Sequence, residues 1–233
     1  MYLRAVHAES SIKSILNFIQ TNPLGVLTTA IPSSTYPFLQ SSHIPWVLDI
    51  SDDPGAAAIS NLDSPTQRLE HDVMVLFTGP HHHYVTSKFY TETKPATAKV
   101  VPTWNYAAVQ VYGKATIYFD SSKPETSSFL SQQLRDLSGQ CESSIMGYTG
   151  QDGNPEPWSV SDAPERYIEI MKKNIIGIDI SIESIGGKFK MSQEMGIGDR
   201  KGVIEGFSNL GTDTGLHIAE MVKERGEMKD QSK

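Results

Sequence analysis

The feature that most constrains the fold is an alternation of isoleucine with small or polar residues in the last third of the chain. The run reads Ile176, Gly177, Ile178, Asp179, Ile180, Ser181 and Ile182. Because successive side chains of a β-strand point to opposite faces, this pattern predicts a strand with one apolar and one polar face. We expect the isoleucine face to be buried, either in the core or in an interface.

Strands are also predicted to dominate the middle of the chain, where β-branched and aromatic residues are frequent. The predicted strands are Leu24–Thr29, Phe38–Leu48, Val73–Phe77, a short hairpin partner at Tyr84–Val85, and Ala107–Phe119. Pro45 indicates a sheet edge or a bulge. Gly113 indicates a bulge or the close approach of another backbone.

Helices are predicted to be few and dispersed. They begin after Ser10 or Ser11, at Pro124, after a cap by Asp162, and at Leu216, the last ending at Gly226. The segment from Asp52 to Gln67 is predicted as a loop or a short helix. This organisation predicts an α+β fold, mainly antiparallel β, in which flanking helices surround a barrel. We expect a single domain over residues 1–233, with a C-terminal helix–strand–helix extension from about residue 158.

Charge and cysteine content exclude or disfavour several classes of protein. A net charge of −7 disfavours nucleic-acid binding, which needs a concentrated basic surface. Cys141 is the only cysteine, so an internal disulfide and a cysteine-rich zinc site are excluded. The N-terminus lacks the apolar core of a signal peptide, and no stretch reaches the ~18 apolar residues of a membrane span. We therefore expect a cytoplasmic protein that has no membrane or direct nucleic-acid partner.

The sequence offers little support for a nucleophilic or metal-binding site. In the run His81-His82-His83, two imidazoles would share one strand face, which is too few for a tight metal site, so no metal is expected. Cys141 has no obvious base beside it. The sequence lacks the motifs of a nucleophile elbow, a dinucleotide-binding turn and a phosphate-binding loop. No catalytic residue is assigned.

Two other runs carry functional groups in a useful arrangement. The run Val101–Tyr106 combines two aromatic rings, a hydroxyl and an amide, which suits either a flat ligand ring or an aromatic corner of the core. In the run Lys188–Gln193, strand alternation would place Lys188, Lys190 and Ser192 on one face. Such a face suits either a phosphate group or ordinary contact with solvent.

Together these segments resemble the PaiB-like family, FMN-binding split-barrel proteins often labelled negative transcriptional regulators. The matching runs, in order, are Met1–Tyr2, Asn22–Gly25, His43–Trp46, Phe77–Pro80, Tyr84–Tyr90, Val101–Tyr106, Trp158–Pro164 and Lys188–Gln193. The runs Val101–Tyr106 and Lys188–Gln193 are the most specific of these.

The resemblance implies an FMN-binding split β-barrel that forms a homodimer, with flavin and small-molecule sites in the interface cleft. The residues it implies for the cofactor site are His43, Ser87, Lys88, Tyr90, Thr103, Trp104, Asn105, Lys190, Ser192 and Gln193.

This sequence departs from the family pattern at two places, one of which is Ser87, where the family usually has proline. The family's Gly-His-x-Ala-Arg-x-Asn-Pro segment, which would supply an arginine and a histidine near the site, is absent between Asp49 and His71. Two explanations are open. The segment is deleted in this protein, which would put FMN affinity in doubt, or it is a flexible lid and the residue numbering runs across its position.

Fold membership does not choose a reaction, because split-barrel proteins carry out several. The leading hypothesis is a flavin-dependent oxidoreductase of unknown substrate. The alternatives are a PaiB-like regulatory protein that acts without direct DNA binding, a haem-binding protein, and a repurposed barrel that has lost its cofactor.

Overall fold

The computed structural model describes residues 1–50 and 66–231. The segment predicted as a loop or short helix, Asp52 to Gln67, lies outside the described residues except for its last two positions. None of the helices in the described ranges is long and apolar enough to cross a bilayer.

An antiparallel sheet forms the centre of the fold. Among the described residues it has eight strands: β1 (Ala8–Glu9), β2 (Leu24–Ala30), β3 (Leu39–Pro45), β4 (Thr66–Arg68), β5 (Val73–Thr78), β6 (His83–Val85), β7 (Thr103–Tyr118) and β8 (Gly177–Lys190). The main order is β1-β8-β7-β5-β2-β3, and β4 and β6 also pair with β7. The predicted α+β, mainly antiparallel fold class is confirmed. Within the described residues the sheet is open, since its main path ends at β1 and β3.

Helices flank the sheet. They are α1 (Ile12–Thr21), α2 (Thr93–Thr97), α3 (Pro124–Gln140), α4 (Glu165–Lys172), α5 (Ile197–Ser208) and α6 (Asp213–Gln231). The predicted start of α1 is confirmed, because the Ser11 hydroxyl accepts a hydrogen bond from the Ser14 amide at 3.2 Å. Ile15 and Ile19, which share one face of this helix, are both buried.

Three predicted helix boundaries are wrong. Helix α6 begins at Asp213, three residues before the predicted Leu216. The Asp162 side chain does not cap α4; it accepts a hydrogen bond from the Ser159 amide at 2.8 Å, within a separate 3₁₀ turn. Gly226 does not end α6, which continues to Gln231. A Cβ at position 226 would lie 2.8 Å from Nε of Arg200, so this glycine permits close packing inside a helix rather than a helix stop.

The chain divides into two compact units. One comprises residues 1–18, 77–110 and 186–233, and the other comprises residues 19–76 and 111–185. In the first unit, Phe18 packs edge-to-face on Phe189 with ring centroids 5.4 Å apart. In the second unit, the rings of Tyr118 and Phe129 stack at 3.8 Å. A single domain with an extension from about residue 158 stays a prediction.

Strands β7 and β8 approach each other closely at Gly113, one of the two features that this glycine indicated in the sequence. A Cβ on Gly113 would lie 2.1 Å from the carbonyl oxygen of Ser181 on β8, closer than any side chain allows. A glycine is therefore required where these two backbones meet.

The isoleucine run forms a strand, but its isoleucine side chains are not buried within the single chain. Ile176 precedes β8 and is 51% exposed, while Ile182 is 45% exposed. Ile178 and Ile180 are only partly covered. The expectation that these residues form part of the core is therefore wrong for the single chain, and burial in an interface stays a prediction.

Only His83 of the histidine run lies on a strand, since β6 begins at this residue. The ring contacts are His81 with His217 at 4.1 Å, His83 with Phe207 at 5.4 Å, and His82 with Trp104 at 5.8 Å. Among the residues that the structure describes, no group of three His, Cys, Asp or Glu side chains could hold a metal ion.

We predict that acid weakens this structure through His81. Burial, followed by the neighbouring His217, lowers the pKa of His81 below 6.5, although Asp213 opposes the shift. The folded chain therefore binds fewer protons here than the unfolded chain, so this contribution to stability is complete above pH 6.5 and is lost as the pH falls through the lowered pKa. The free energy of unfolding, measured with urea across this pH range, should depend less on pH in His217→Gln than in the wild type. Equal pH dependence in the two proteins would contradict the prediction.

We also predict a stabilising role for Lys172, whose side chain is almost completely buried. Its ammonium donates to the Ser127 hydroxyl and to the Glu169 carboxylate, each at 2.8 Å. Replacing Lys172 with alanine removes both charge-assisted bonds and should lower the free energy of unfolding by roughly 2–4 kcal/mol. Lys173→Ala, at the exposed neighbouring position, is the matched control in denaturant unfolding, and equal losses in the two variants would exclude this role.

Candidate functional site

The candidate site begins with the pairing of β6 and β7. His83 is opposite Asn105, Tyr84 is opposite Trp104, and Val85 is opposite Thr103. Because side chains alternate along β7, Thr103 and Asn105 point to one face and Trp104 to the other. Trp104 and Asn105, which the sequence predicts for the same site, therefore lie on opposite surfaces of the strand.

Asn105 is the most deeply buried polar residue of this run, with 0% exposure. Its Oδ1 accepts a hydrogen bond from the Ser192 hydroxyl at 3.1 Å. Its Nδ2 is buried and has no hydrogen-bond partner among the described residues. A buried donor without an acceptor costs roughly 1–3 kcal/mol, so the unpaired amide of Asn105 is a departure from ordinary packing that calls for a structural or functional reason.

Lys190, the last residue of β8, provides the positive charge of the site. Its ammonium donates to the Thr103 hydroxyl at 2.6 Å and to the Trp104 carbonyl at 2.8 Å. An ammonium has three donors, so one remains for a ligand. Burial is the main influence that lowers the pKa of Lys190; Glu194 opposes it and Lys188 contributes to it. A partly desolvated ammonium binds anions more strongly than a fully hydrated one.

The turn after β8 is held by its own side chains. Oε1 of Gln193 accepts from the Met191 amide at 2.7 Å, and its Nε2 donates to the Phe189 carbonyl. The Ser192 hydroxyl is already bonded to Asn105. The side chains of Ser192 and Gln193 are therefore used to hold the turn, whereas Lys190 keeps a third N–H donor.

Lys188 is held by contacts within the chain. It is 9% exposed, its ammonium donates to the Tyr2 carbonyl at 3.0 Å, and it lies 5.4 Å from the centre of the Tyr106 ring. A phosphate site shared by Lys188 and Lys190 stays a prediction.

The outer face of the hairpin is aromatic. Trp104 is 51% exposed and Tyr84 is 44% exposed, and their rings meet edge-to-face with centroids 6.3 Å apart. This surface presents flat rings to solvent, but on the face opposite to Asn105.

The remaining predicted site residues are more dispersed. Ser87 and Lys88 belong to the 3₁₀ turn Ser87–Phe89, which follows β6 at the end where β7 begins; the Lys88 side chain is exposed. Tyr90 is buried, and its pKa is raised by burial and then by Glu194. His43 is exposed on β3 and belongs to the other compact unit.

One hydrogen-bonded pair near the site was not predicted from the sequence. His7 is 2% exposed, and its Nε2 lies 3.1 Å from Oε2 of Glu194, one residue after Gln193. Burial alone would raise the pKa of Glu194, but hydrogen bonds from the backbone and from His7, with the charge of Lys190, hold it below its usual value. The two partners are 187 positions apart, and no local pattern links them.

Comparison with known proteins identifies the family. The chain belongs to the family described as "Putative FMN-binding domain", which matches residues 1–184. It is 28% identical over 229 residues to the "Protease synthase and sporulation protein PAI 2" of Bacillus subtilis, which covers 97% of this chain and 98% of that protein. The resemblance to PaiB-like proteins is thereby confirmed.

Two fungal proteins are more similar. An "Uncharacterized protein" of Aspergillus fumigatus is 57% identical over 261 residues, and one of Emericella nidulans is 56% identical over 256 residues; each match covers 99% of this chain and 100% of the relative. Both matches are longer than the 233-residue chain, so each relative has residues that this chain lacks.

Proposed function

We propose that this protein binds FMN and works as a flavin-dependent oxidoreductase. The observation that carries the proposal is the pair of unused donors around the start of β7: the third donor of the Lys190 ammonium and the buried Nδ2 of Asn105. The family match supports flavin as the ligand.

The donor set suits FMN chemically. A phosphate dianion needs a cation and hydrogen-bond donors, and Lys190 supplies both. The isoalloxazine edge carries oxygen and nitrogen acceptors, for which a buried amide donor such as Asn105 is complementary. FMN is favoured over FAD because the sequence lacks a dinucleotide-binding turn. With no arginine-bearing segment, Lys190 takes a larger share of phosphate binding than it would in a relative that has the segment.

FMN, when bound, supplies the capacity to accept and donate electrons. The side chains of this chain then have a binding and orienting role. Lys190 fixes the anionic end, and the Asn105–Ser192 hydrogen bond fixes the face of β7 against which a ligand would lie.

A regulatory role is the second candidate. It is supported by the Bacillus subtilis relative, whose name refers to protease synthase and sporulation. The net charge of −7 favours regulation through a ligand or a protein partner over direct DNA contact. FMN binding without turnover of any electron acceptor would favour this candidate.

We further propose that two copies form a homodimer. The end strand β3 is exposed on both faces, and Leu39 on it is 64% exposed. Leu24 and Phe38 beside it are 58% and 56% exposed. An exposed edge strand with large apolar side chains at its ends favours pairing, and a second copy of the same chain provides a self-complementary surface.

For the FMN site, we predict that Lys190→Ala lowers FMN affinity by roughly ten- to a hundred-fold, because a charge-assisted contact contributes about 1.5–3 kcal/mol. Lys190→Gln keeps a polar side chain with N–H donors and removes the charge, so it should also weaken binding while keeping the fold. Titration followed by flavin fluorescence measures this, with exposed Lys99→Ala as the control. Wild-type affinity in both Lys190 variants would contradict the proposed site.

For the dimer, we predict that light scattering gives twice the 25.7 kDa chain mass. Leu39→Gln removes apolar surface from β3 and should shift the equilibrium toward monomer. Leu210→Gln makes the same change at a leucine that is 43% exposed in the other unit and should leave the dimer intact. A wild-type monomer at micromolar concentration would exclude the proposal.

A further inference from the structure

The turn that follows β8 holds a backbone conformation that needs external support. Ser192 has a φ of +56°, in the left-handed region that residues other than glycine rarely adopt. Its hydroxyl nevertheless has to reach Asn105 across 3.1 Å. A conformation of this kind persists only when the surrounding structure fixes it.

Arg200, on helix α5, fixes the far end of this turn. Its side chain is 8% exposed, and its Nη1 donates to the carbonyl oxygen of Met195 at 3.0 Å. Its Nη2 forms an ion pair with Asp230, in the last turn of α6. The carboxylate of Asp230 thus holds the guanidinium in the orientation that reaches the turn.

Helix α6 is shaped to admit this arginine. The residue of α6 beside the guanidinium is Gly226, where a Cβ would lie 2.8 Å from Nε of Arg200 and 3.1 Å from its Cδ. A larger residue would displace the arginine side chain. The glycine inside this helix is therefore explained by the path of Arg200.

The near end of the turn is also contacted from α6. The guanidinium of Arg225 lies 4.0 Å from the centre of the Phe189 ring, one residue before Lys190. The same guanidinium pairs with Glu9, which is opposite Gly187 in the β1–β8 pairing. Both ends of the segment Phe189–Met195 are thus held by arginines whose positions depend on α6.

We propose that Arg200 and Asp230 are positioning residues of the cofactor site. They act through the Met195 carbonyl on the turn that carries Ser192 and adjoins Lys190. This inference rests on the proposed FMN binding at Lys190 and Asn105. It extends the site to helices α5 and α6, which lie beyond the residues 1–184 that match the family. Because coupling between two sites is reciprocal, FMN binding should in turn stabilise the last turn of α6.

Two measurements on the full chain test this inference. Asp230→Asn removes the charge that holds Arg200, so FMN affinity should fall on the order of ten-fold. Hydrogen exchange, measured without ligand, should become faster at the Met195 amide, which donates to the Ser192 carbonyl at 3.0 Å in the same turn. Gly226→Ala, which pushes on Arg200 from the other side, should produce the same two effects.

The control separates positioning from general stability. Ile218→Ala removes buried volume from α6 about two helical turns before Gly226, so it should lower the melting temperature while leaving exchange at Met195 and FMN affinity unchanged. If Asp230→Asn and Gly226→Ala behave as Ile218→Ala does, the inference is overturned. If the wild type binds no FMN, the proposed function fails, and the exchange measurement alone tests whether Arg200 and Asp230 position the turn. Faster exchange at Met195 in the variants supports this role, and unchanged exchange overturns it.

Discussion

The candidate site depends on two hydrogen-bonded connections between β7 and the end of β8. Lys190 is bound to the Thr103 hydroxyl and the Trp104 carbonyl, and Ser192 is bound to Asn105. These contacts join segments that are 87 positions apart in the sequence. They also determine which face of β7 packs against the turn after β8. The side chains on that face are the ones that could contact a ligand together.

Such a polar cluster is costly to bury, and the chain offsets that cost by pairing. His7 lies against Glu194, and Glu9 pairs with Arg225. Replacing one member of such a pair leaves a buried charge without compensation, which is why these networks favour one arrangement over others. The unpaired Nδ2 of Asn105 is an exception within this cluster, and it lies where the proposed cofactor needs a donor.

Elements with a strong local pattern could be predicted from the sequence. The spacing of Ile15 and Ile19 and the cap at Ser11 were sufficient for α1. The alternation of isoleucines was sufficient for the β8 strand but not for its burial, since a strand pattern gives two faces and does not say which partner covers them. The runs containing Asn105 and Lys190 pointed to the site. The alternation of side chains along a strand is also sufficient to predict that Trp104 and Asn105 lie on opposite faces.

Features that depend on distant contacts could not be predicted. Helix α5 contains several glycines, which disfavour a helix by propensity. Its Gly202 and Gly206 are needed because a Cβ would lie 2.2 Å from the Phe89 carbonyl oxygen and 2.3 Å from the Phe89 ring. In the same way, Gly226 resembles a helix stop until Arg200 is placed beside it, and the pairing of His7 with Glu194 has no local signal.

The visible absorption spectrum of the purified protein, recorded before and after addition of FMN, tests the central claim most directly. We expect the protein to show flavin absorption, either on purification or after reconstitution with FMN. Unfolding should then release one equivalent of FMN per chain. A haem spectrum, or a folded colourless protein that takes up no FMN, would contradict it and would favour the haem-binding or cofactor-free alternative.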